Sequence, residues 1–165
     1  QEIPCGKASV DRVKNYNFTP ALPGHEFAKY IFQQENFWQE NCLDYIGAQR
    51  FVNDLLRTRK NVTILTEQAI GGFDDKVKWI YQYFGWTIEF ETNPVGLAIS
   101  PNKKLLFRPG DIIIDDCPDI LNYALDIGAF PVCIDRPWNQ KTSNPSWTGE
   151  RYNYNQAIEK ITAVM

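Results

Sequence analysis

Helical and strand patterns alternate along this chain from residue 47 onwards, and this alternation restricts the possible folds more than any other feature. Apolar residues recur at helical spacing after residue 47, and the β-branched run Asn61–Thr66 predicts a buried strand. A second helix is predicted over Asp74–Phe84, with Gly85 as its C-terminal stop. The remaining predicted elements are strands at 87–91, 95–99, 111–115 and 130–134, a helix that opens over 116–119 and stops at Gly128, and a final helix over 155–164. Strands separated by helices in this order predict an α/β fold with a mainly parallel sheet flanked by helices.

The length of 165 residues suits one domain with a real core. Within it we expect a small helical, cap-like segment at 14–46, an α/β core at 47–135, and a loop with a C-terminal helix at 136–165. The net charge of −3 argues against general nucleic-acid binding, which usually needs a basic surface.

The apolar runs and the cysteines of the sequence predict where in the cell the protein is located. No apolar run approaches the roughly 18 residues that a membrane span needs, and no signal-peptide pattern opens the chain, so we expect no membrane contact. The cysteines are widely spaced and include no CxxC pair, which favours reduced thiols in the cytoplasm over a zinc knuckle or a disulfide scaffold. They are Cys5, Cys42, Cys117 and Cys133.

Two predicted strands end in side chains that can hold a phosphate group or a metal ion. One strand ends in Thr66-Glu67 and the other in Asp115-Asp116, and open α/β sheets bind ligands outside the carboxyl ends of their strands. Adjacent carboxylates repel each other, so a hard divalent cation such as Mg²⁺ is an expected partner of the aspartates. The alternative is that Asp116 caps the helix that begins at Pro118 and that Asp115 is solvated.

Two lysines, Lys103 and Lys104, lie shortly before the strand that carries the aspartates. A lysine ammonium binds phosphate oxygens as a point charge, and the hydroxyl of Thr66 could donate to the same phosphate. A single surface lysine is usually only solvated. The combination of threonine, lysine and paired aspartates therefore carries the prediction of a phosphate site.

These segments resemble motifs of the haloacid-dehalogenase-like phosphohydrolases, and in particular the 5'(3')-deoxyribonucleotidase-like group. The segment 61–67 looks like the second motif of that family, 102–104 looks like the third, and 111–120 looks like the fourth. The segment Glu35–Trp38 is similar to the aromatic-rich stretch that leads out of a small cap in that group. The resemblance covers roughly residues 26–135. It implies a Rossmann-like fold and Mg²⁺-dependent hydrolysis of (deoxy)nucleoside monophosphates.

The resemblance also implies roles for the motif residues. Thr66 would bind the transferred phosphoryl group together with Lys103 or Lys104, either of which could be the motif lysine. Asp115 or Asp116 would bind Mg²⁺, which would neutralise charge during in-line transfer.

The substrate would lie against Glu67 and Thr66, with the rings of Phe37 and Trp38 bordering its base or sugar. Packing of Phe37 and Trp38 between the cap and the sheet is the alternative for these two aromatic residues.

The chain departs from the family at the first strand, where these enzymes carry an Asp-x-Asp motif whose first Asp attacks phosphorus. Residues 1–60 contain no such motif after an apolar strand, and the candidate Asp11 lacks the second Asp. Because the family places that strand at the centre of the sheet, three alternatives remain open. A nucleophile strand precedes Gln1, residues 8–13 fill the centre without the chemistry, or the neighbouring strands pair directly in a degenerate relative.

Two functions therefore remain. The first is a phosphohydrolase that is inactive or incomplete in the chain as given. The second is a non-catalytic binding protein that uses the phosphate pocket or an aromatic surface at 136–154 to contact another protein. The aromatic residues expected to be exposed there are Trp138, Trp147, Tyr152 and Tyr154. The alternative for this loop is that it folds back over the sheet edge.

Overall fold

Parallel strands joined by helices make up both of the units into which the chain divides. The computed structural model describes residues 45–58, 61–67, 73–88, 96–136, 139–140 and 147–164. In chain order the elements are α1 (Tyr45–Thr58), β1 (Thr63–Glu67), α2 (Phe73–Ile88), β2 (Gly96–Ser100), a 3₁₀ turn (Lys103–Leu106), β3 (Ile112–Asp115), α3 (Pro118–Asp126), β4 (Phe130–Ile134), β5 (Arg151–Tyr152) and α4 (Tyr154–Ala163). The described residues within 106–153 form one unit, and those within 45–105 and 154–164 form the other.

The unit formed by described residues within 45–105 and 154–164 contains a β1–α2–β2 crossover. Strands β1 and β2 pair in parallel, with Thr63 opposite Gly96 and Glu67 opposite Ser100. A parallel pair cannot be closed by a tight turn, and the 16-residue helix α2 lies in the connection between the two strands.

Helices α1 and α4 pack against each other in this unit. The ring of Phe51 stacks on Tyr154 with ring centroids 5.0 Å apart. Phe51 and Leu55 are buried on the face of α1 that the helical spacing predicts, and Ile80 and Phe84 are buried on α2. On α4 the buried residues are Ala157 and Ile161. Burial of each large apolar side chain is worth roughly 1.5–3 kcal/mol.

The second unit contains a three-stranded parallel sheet in the order β3–β4–β5. Helix α3 connects β3 to β4, and its Leu121 is completely buried beside Cys133 of β4 and Trp147. The helix begins at Pro118 and is followed by Gly128, whose φ of +80° is a left-handed conformation that glycine adopts without strain. Both boundaries agree with the sequence-based prediction.

The α/β class is confirmed as a mixture of helices and parallel strands, with the strands near 63–67, 96–100, 112–115 and 130–134 where the sequence predicts them. The prediction that Gly85 ends the second helix is wrong, because α2 runs through this glycine to Ile88. The strand predicted at 87–91 is correspondingly wrong at residues 87–88. A glycine inside a helix costs only about 0.5–1 kcal/mol, which burial of Ile80 and Phe84 on the same helix exceeds.

The prediction that residues 136–153 are loop is wrong at Arg151–Tyr152, which form β5 beside the end of β4. Arg151 is held in place by bonds from its guanidinium to the backbone oxygens of Asn139 and Trp147. The strand pairs with β4, where Cys133 lies opposite Arg151 at a distant position in the sequence, so no local pattern signals it.

Several predictions fall outside the described residues. They concern the cap-like segment 14–46 up to residue 44, the candidate nucleophile Asp11, the substrate-bordering residues Phe37 and Trp38, and Trp138. The role of residues 8–13 also stays a prediction, as does a single domain over 1–165. Within the described part, β1 has β2 as its hydrogen-bonded neighbour and β3 has β4, and the direct pairing expected for a degenerate relative stays a prediction. Of the helices the structure describes, none is both long enough and apolar enough to cross a membrane.

Candidate functional site

The carboxyl ends of β1 and β2 lie at one edge of their two-stranded sheet. The parallel register sets Thr66 opposite Ile99 and Glu67 opposite Ser100. Thr66 is half-buried and Glu67 is exposed. This edge has the position at which open α/β sheets bind ligands.

The turn after β2 is built by its own polar side chains. The buried hydroxyl of Ser100 donates to the backbone oxygen of Asn102 (2.8 Å) and accepts from its N–H (3.2 Å). The side-chain oxygen of Asn102 accepts from the backbone N–H of Lys104 at 3.1 Å. These bonds hold Lys103 and Lys104, both half-buried, in a 3₁₀ turn three residues beyond the end of the strand.

A third lysine, Lys76 in the first turn of α2, belongs to the same charged group. Burial lowers the pKa of Lys76 below its ordinary 10.5, the like charge of Lys103 lowers it further, and the carboxylate of Glu67 acts in the opposite direction. Lys103 and Glu67 therefore lie near enough to Lys76 for their charges to act on it. The sequence prediction missed Lys76. Its place in the helix that directly follows β1 is the signal that could have identified it.

The paired aspartates lie at the end of β3, in the other unit. One oxygen of the half-buried Asp115, Oδ1, accepts hydrogen bonds from the backbone N–H groups of Asp116 (2.9 Å) and Cys117 (2.8 Å). Helix α3 has Cys117 as its N-cap residue, with no side-chain cap bond from it. The sequence-based alternative is therefore wrong in treating Asp115 as merely solvated, while a capping role for Asp116 stays a prediction. Asp115 binds the amides instead, because its position lets one oxygen reach two consecutive N–H groups.

A Mg²⁺ ion prefers near-octahedral oxygen coordination, usually with one or two carboxylates and several waters. Over the described residues, no three His, Cys, Asp or Glu side chains group together in a way that could hold a metal ion. Asp115 already uses Oδ1 for two amides. Mg²⁺ binding by Asp115 and Asp116 therefore stays a prediction.

Carboxylates surround the buried thiol of Cys133 at this edge. Burial raises the pKa of Cys133 to about 12, Arg151 opposes this increase, and Asp116, Asp135 and Asp115 add to it. Cys133 is completely shielded from solvent. A neutral, buried thiol is a packing residue rather than a nucleophile.

Asn139 joins the ends of β3 and β4, and the sequence prediction missed it. Its fully buried side chain donates to the backbone oxygens of Ile134 (2.7 Å) and Asp116 (3.0 Å). Its side-chain oxygen accepts from the N–H of Arg136 at 3.1 Å. Asn139 therefore holds the backbone of Asp116 in place beside the end of β4.

Trp147, expected to be exposed, is buried, with 6% of its surface accessible. Its Nε1 donates to the backbone oxygen of Glu150 at 2.9 Å. Tyr152 and Tyr154 are half-buried, and Tyr152 donates its hydroxyl to the Glu150 carboxylate. The expected exposure of Trp147 is wrong because this side chain completes the apolar cluster beneath α3. Contact of another protein with 136–154 stays a prediction.

The predicted motif residues thus fall into two groups. Thr66, Lys103 and Lys104 lie in the unit of β1 and β2, while Asp115 and Asp116 lie in the unit of β3. A site made from both groups stays a prediction.

No protein-family model, no curated protein and no solved structure matches this chain. The haloacid-dehalogenase-like resemblance therefore depends on the motif residues alone.

Proposed function

We propose that this protein binds the phosphate group of a (deoxy)nucleoside monophosphate at the carboxyl edge of β1 and β2, on a haloacid-dehalogenase-like phosphohydrolase scaffold. The observation that carries the proposal is the register of Glu67 with Ser100, which aligns the ends of the two strands. Thr66 is the last residue but one of β1, and Lys103 lies three residues beyond the end of β2. The hydroxyl of Thr66 and the ammonium group of Lys103 are the groups that we assign to the phosphate.

Each group has a distinct task in binding. Lys103, assisted by Lys104, supplies positive charge to the phosphate oxygens, and Thr66 donates a neutral hydrogen bond. Glu67 carries an exposed acceptor-only carboxylate, which suits a hydroxyl of the substrate sugar rather than its phosphate. A cytoplasmic location is part of this proposal, and the free thiols of Cys117 and Cys133 are consistent with it.

Hydrolysis would need a carboxylate that attacks phosphorus, as the Asp-x-Asp motif does in the family that the chain resembles. Residues 1–60 lack that motif, so we propose that the chain as given binds without turnover. Mg²⁺ would supply charge neutralisation if bound, and none of the binding steps above depends on it.

The second candidate is a non-catalytic phosphate-binding protein. The bonds from Asp115 Oδ1 to two amides favour it, because they assign this carboxylate a structural role at the start of α3. Both candidates share the phosphate site, and they differ in whether a longer natural form of the protein hydrolyses the bound phosphate ester.

Binding is tested by calorimetric titration with a deoxynucleoside 5'-monophosphate. We expect Thr66→Val and Lys103→Met to weaken binding, each by about 10-fold or more, since charge-assisted and buried hydrogen bonds are worth roughly 1.5–3 kcal/mol. Thr63→Val is the matched control, because Thr63 is exposed at the opposite end of β1. Equal effects of the two threonine variants would contradict the site.

Turnover is tested by release of inorganic phosphate from deoxynucleoside monophosphates in millimolar Mg²⁺, with this chain and with any longer natural form. Release only by a longer form supports the phosphohydrolase, and no release by either supports the binding protein. Release by this chain that disappears in Asp115→Asn would show that the expected absence of a nucleophile is wrong.

A further inference from the structure

Hydrogen bonds within the segment from Ser100 to Leu105 restrain the chain where it leaves β2. The buried hydroxyl of Ser100 donates to the backbone oxygen of Asn102 (2.8 Å) and accepts from the N–H of the same residue (3.2 Å). The side-chain oxygen of Asn102 accepts from the N–H of Lys104 at 3.1 Å. The backbone oxygen of Asn102 also accepts from the N–H of Leu105 at 3.2 Å. Asn102 therefore takes part in each of these bonds.

Pro101 lies between the two bonding side chains and restricts the same segment further. Its ring fixes φ at about −65°. A residue that precedes proline is kept in an extended conformation, which suits Ser100 as the last residue of β2. Surface connections are usually the more mobile parts of a fold. This one combines a proline with bonds from two side chains, so its backbone conformation is set before a ligand binds.

The restrained segment carries both lysines of the proposed phosphate site. Lys103 and Lys104 are half-buried in the 3₁₀ turn. The register of the strands places Ser100 opposite Glu67, the residue after Thr66, so the segment starts at the same edge of the sheet. Binding costs free energy when a ligand must order a loop, and a loop that is already ordered avoids this cost.

We propose that Ser100 and Asn102 are positioning residues that preorganise Lys103 and Lys104 for the phosphate group. This inference rests on the proposed function, and it assigns a binding role to two residues that act through the lysines. Without the bonds of Ser100 and Asn102, the turn would have to be ordered when the ligand binds. The two residues therefore raise affinity by lowering the entropic cost of binding.

The experiment is calorimetric titration of the full chain with a deoxynucleoside 5'-monophosphate. We expect Asn102→Ala and Ser100→Ala each to weaken binding by about 5- to 30-fold, the cost of fixing the backbone of one residue. Asn102→Ser should restore most of the affinity, because a serine hydroxyl also accepts from a backbone N–H two residues on. Thr162→Ala is the control. It removes a comparable local bond, from the Thr162 hydroxyl to the backbone oxygen of Ile158 (2.8 Å) on α4, and should leave affinity unchanged.

Hydrogen exchange of the Lys104 amide gives a readout that a purely structural role would not change. In the unmodified chain this amide should be protected without ligand, and the monophosphate should add little protection, because the turn is already formed. In Asn102→Ala it should exchange faster without ligand and become protected when the monophosphate binds. Fast exchange of this amide in the unmodified chain would overturn the proposal, as would equal effects of the ligand in both proteins.

The titrations also separate this inference from the proposed function. If the unmodified chain does not bind the monophosphate, the proposed function fails and the positioning role fails with it. If Thr66→Val and Lys103→Met weaken binding while Asn102→Ala and Ser100→Ala do not, the phosphate site stands and the positioning role is wrong.

Two comparisons guard against indirect effects. Equal losses in Asn102→Ala and Thr162→Ala would overturn the positioning role, because they would reflect a general loss of folded protein. Lys103→Met is judged against Lys78→Met, since Lys78 is exposed on α2 and is outside the proposed site. Equal losses in these two lysine variants would mean that general charge attracts the ligand, and both proposals would fail.

Discussion

Lys76 shows how the surroundings of one side chain set its contribution to stability. Its charged form is disfavoured in the folded protein by burial and by Lys103, while Glu67 favours it. An ordinary lysine in the unfolded chain has no such penalty. The charged form of Lys76 at this position is therefore unfavourable for the fold.

This reasoning predicts the pH dependence of stability. Because the pKa of Lys76 is lower in the folded state, the unfolded state binds more protons between that lowered pKa and 10.5. The unfavourable contribution of Lys76 is complete at neutral pH and disappears as pH rises through this window. Urea unfolding should show Lys76→Met to be at least as stable as the unmodified protein at pH 7, with the difference shrinking towards pH 10.5. A Lys76→Met variant clearly less stable than Lys78→Met at pH 7 would contradict this prediction.

Gly149 is required by the side chain of Trp147. A Cβ atom added at Gly149 would lie 2.5 Å from Cζ2 and 2.7 Å from Cε2 of that ring. The ring is buried and held by its bond to Glu150, so it has little room to shift.

We predict that Gly149→Ala lowers the free energy of unfolding by about 1–3 kcal/mol, the usual cost of overpacking. Urea unfolding followed by tryptophan fluorescence measures the change. Thr148→Ala, at the exposed neighbouring position, is the control and should stay within about 0.5 kcal/mol of the unmodified protein. If Gly149→Ala and the unmodified protein have the same free energy of unfolding, the Trp147 ring moves aside freely and the prediction is wrong.

At the scale of elements, the sequence predicts where α3 begins and ends, but it does not predict which aspartate binds the amides at its start. Pro118 marks the first turn and Gly128 follows the end, because both residues have strong backbone preferences. Two adjacent aspartates precede the helix, and composition alone does not say which of them binds the amides. In the structure, Asp115 is the residue whose side chain accepts hydrogen bonds from these amides.

We predict that Asp115→Ala destabilises the protein by about 1–2 kcal/mol, the range measured for lost helix-start acceptors. Asp115→Asn should cost less, because its amide oxygen still accepts the two bonds. Asp116→Ala tests the same element without removing that acceptor. Thermal unfolding compares the three variants, and a loss in Asp116→Ala larger than in Asp115→Ala would contradict the assigned role.

At the scale of the whole molecule, metal binding by the aspartates would couple the stability of the fold to the concentration of Mg²⁺. If Asp115 and Asp116 bind Mg²⁺ in the folded state, millimolar Mg²⁺ should raise Tm by mass action. The expected increase should be reduced in Asp116→Asn, which removes a charge without removing the Asp115 bonds. Differential scanning calorimetry with Mg²⁺ and with matched ionic strength of Na⁺ separates specific binding from screening. An unchanged Tm would count against the metal prediction and leave the lysine site unaffected.

The sequence alone determined the alternation of α1, β1, α2, β2, β3, α3 and β4, although not β5, together with the buried face of α1 through Phe51 and Leu55 and the boundaries of α3. These features depend on hydrophobic periodicity and backbone preferences within a few residues, which a sequence displays directly. It also indicated the polar strand ends, from Thr66 to the paired aspartates.

Only the tertiary structure decided which side chains act together. It brought Lys76 to Lys103 and Glu67, used Asn139 to join the ends of two strands, and buried Trp147 against Leu121 and Cys133. Several of these relations join residues that are far apart in the chain, such as Asn139 with Asp116 and Trp147 with Leu121. Their energies depend on packing and on mutual desolvation, which exist only once the elements have assembled.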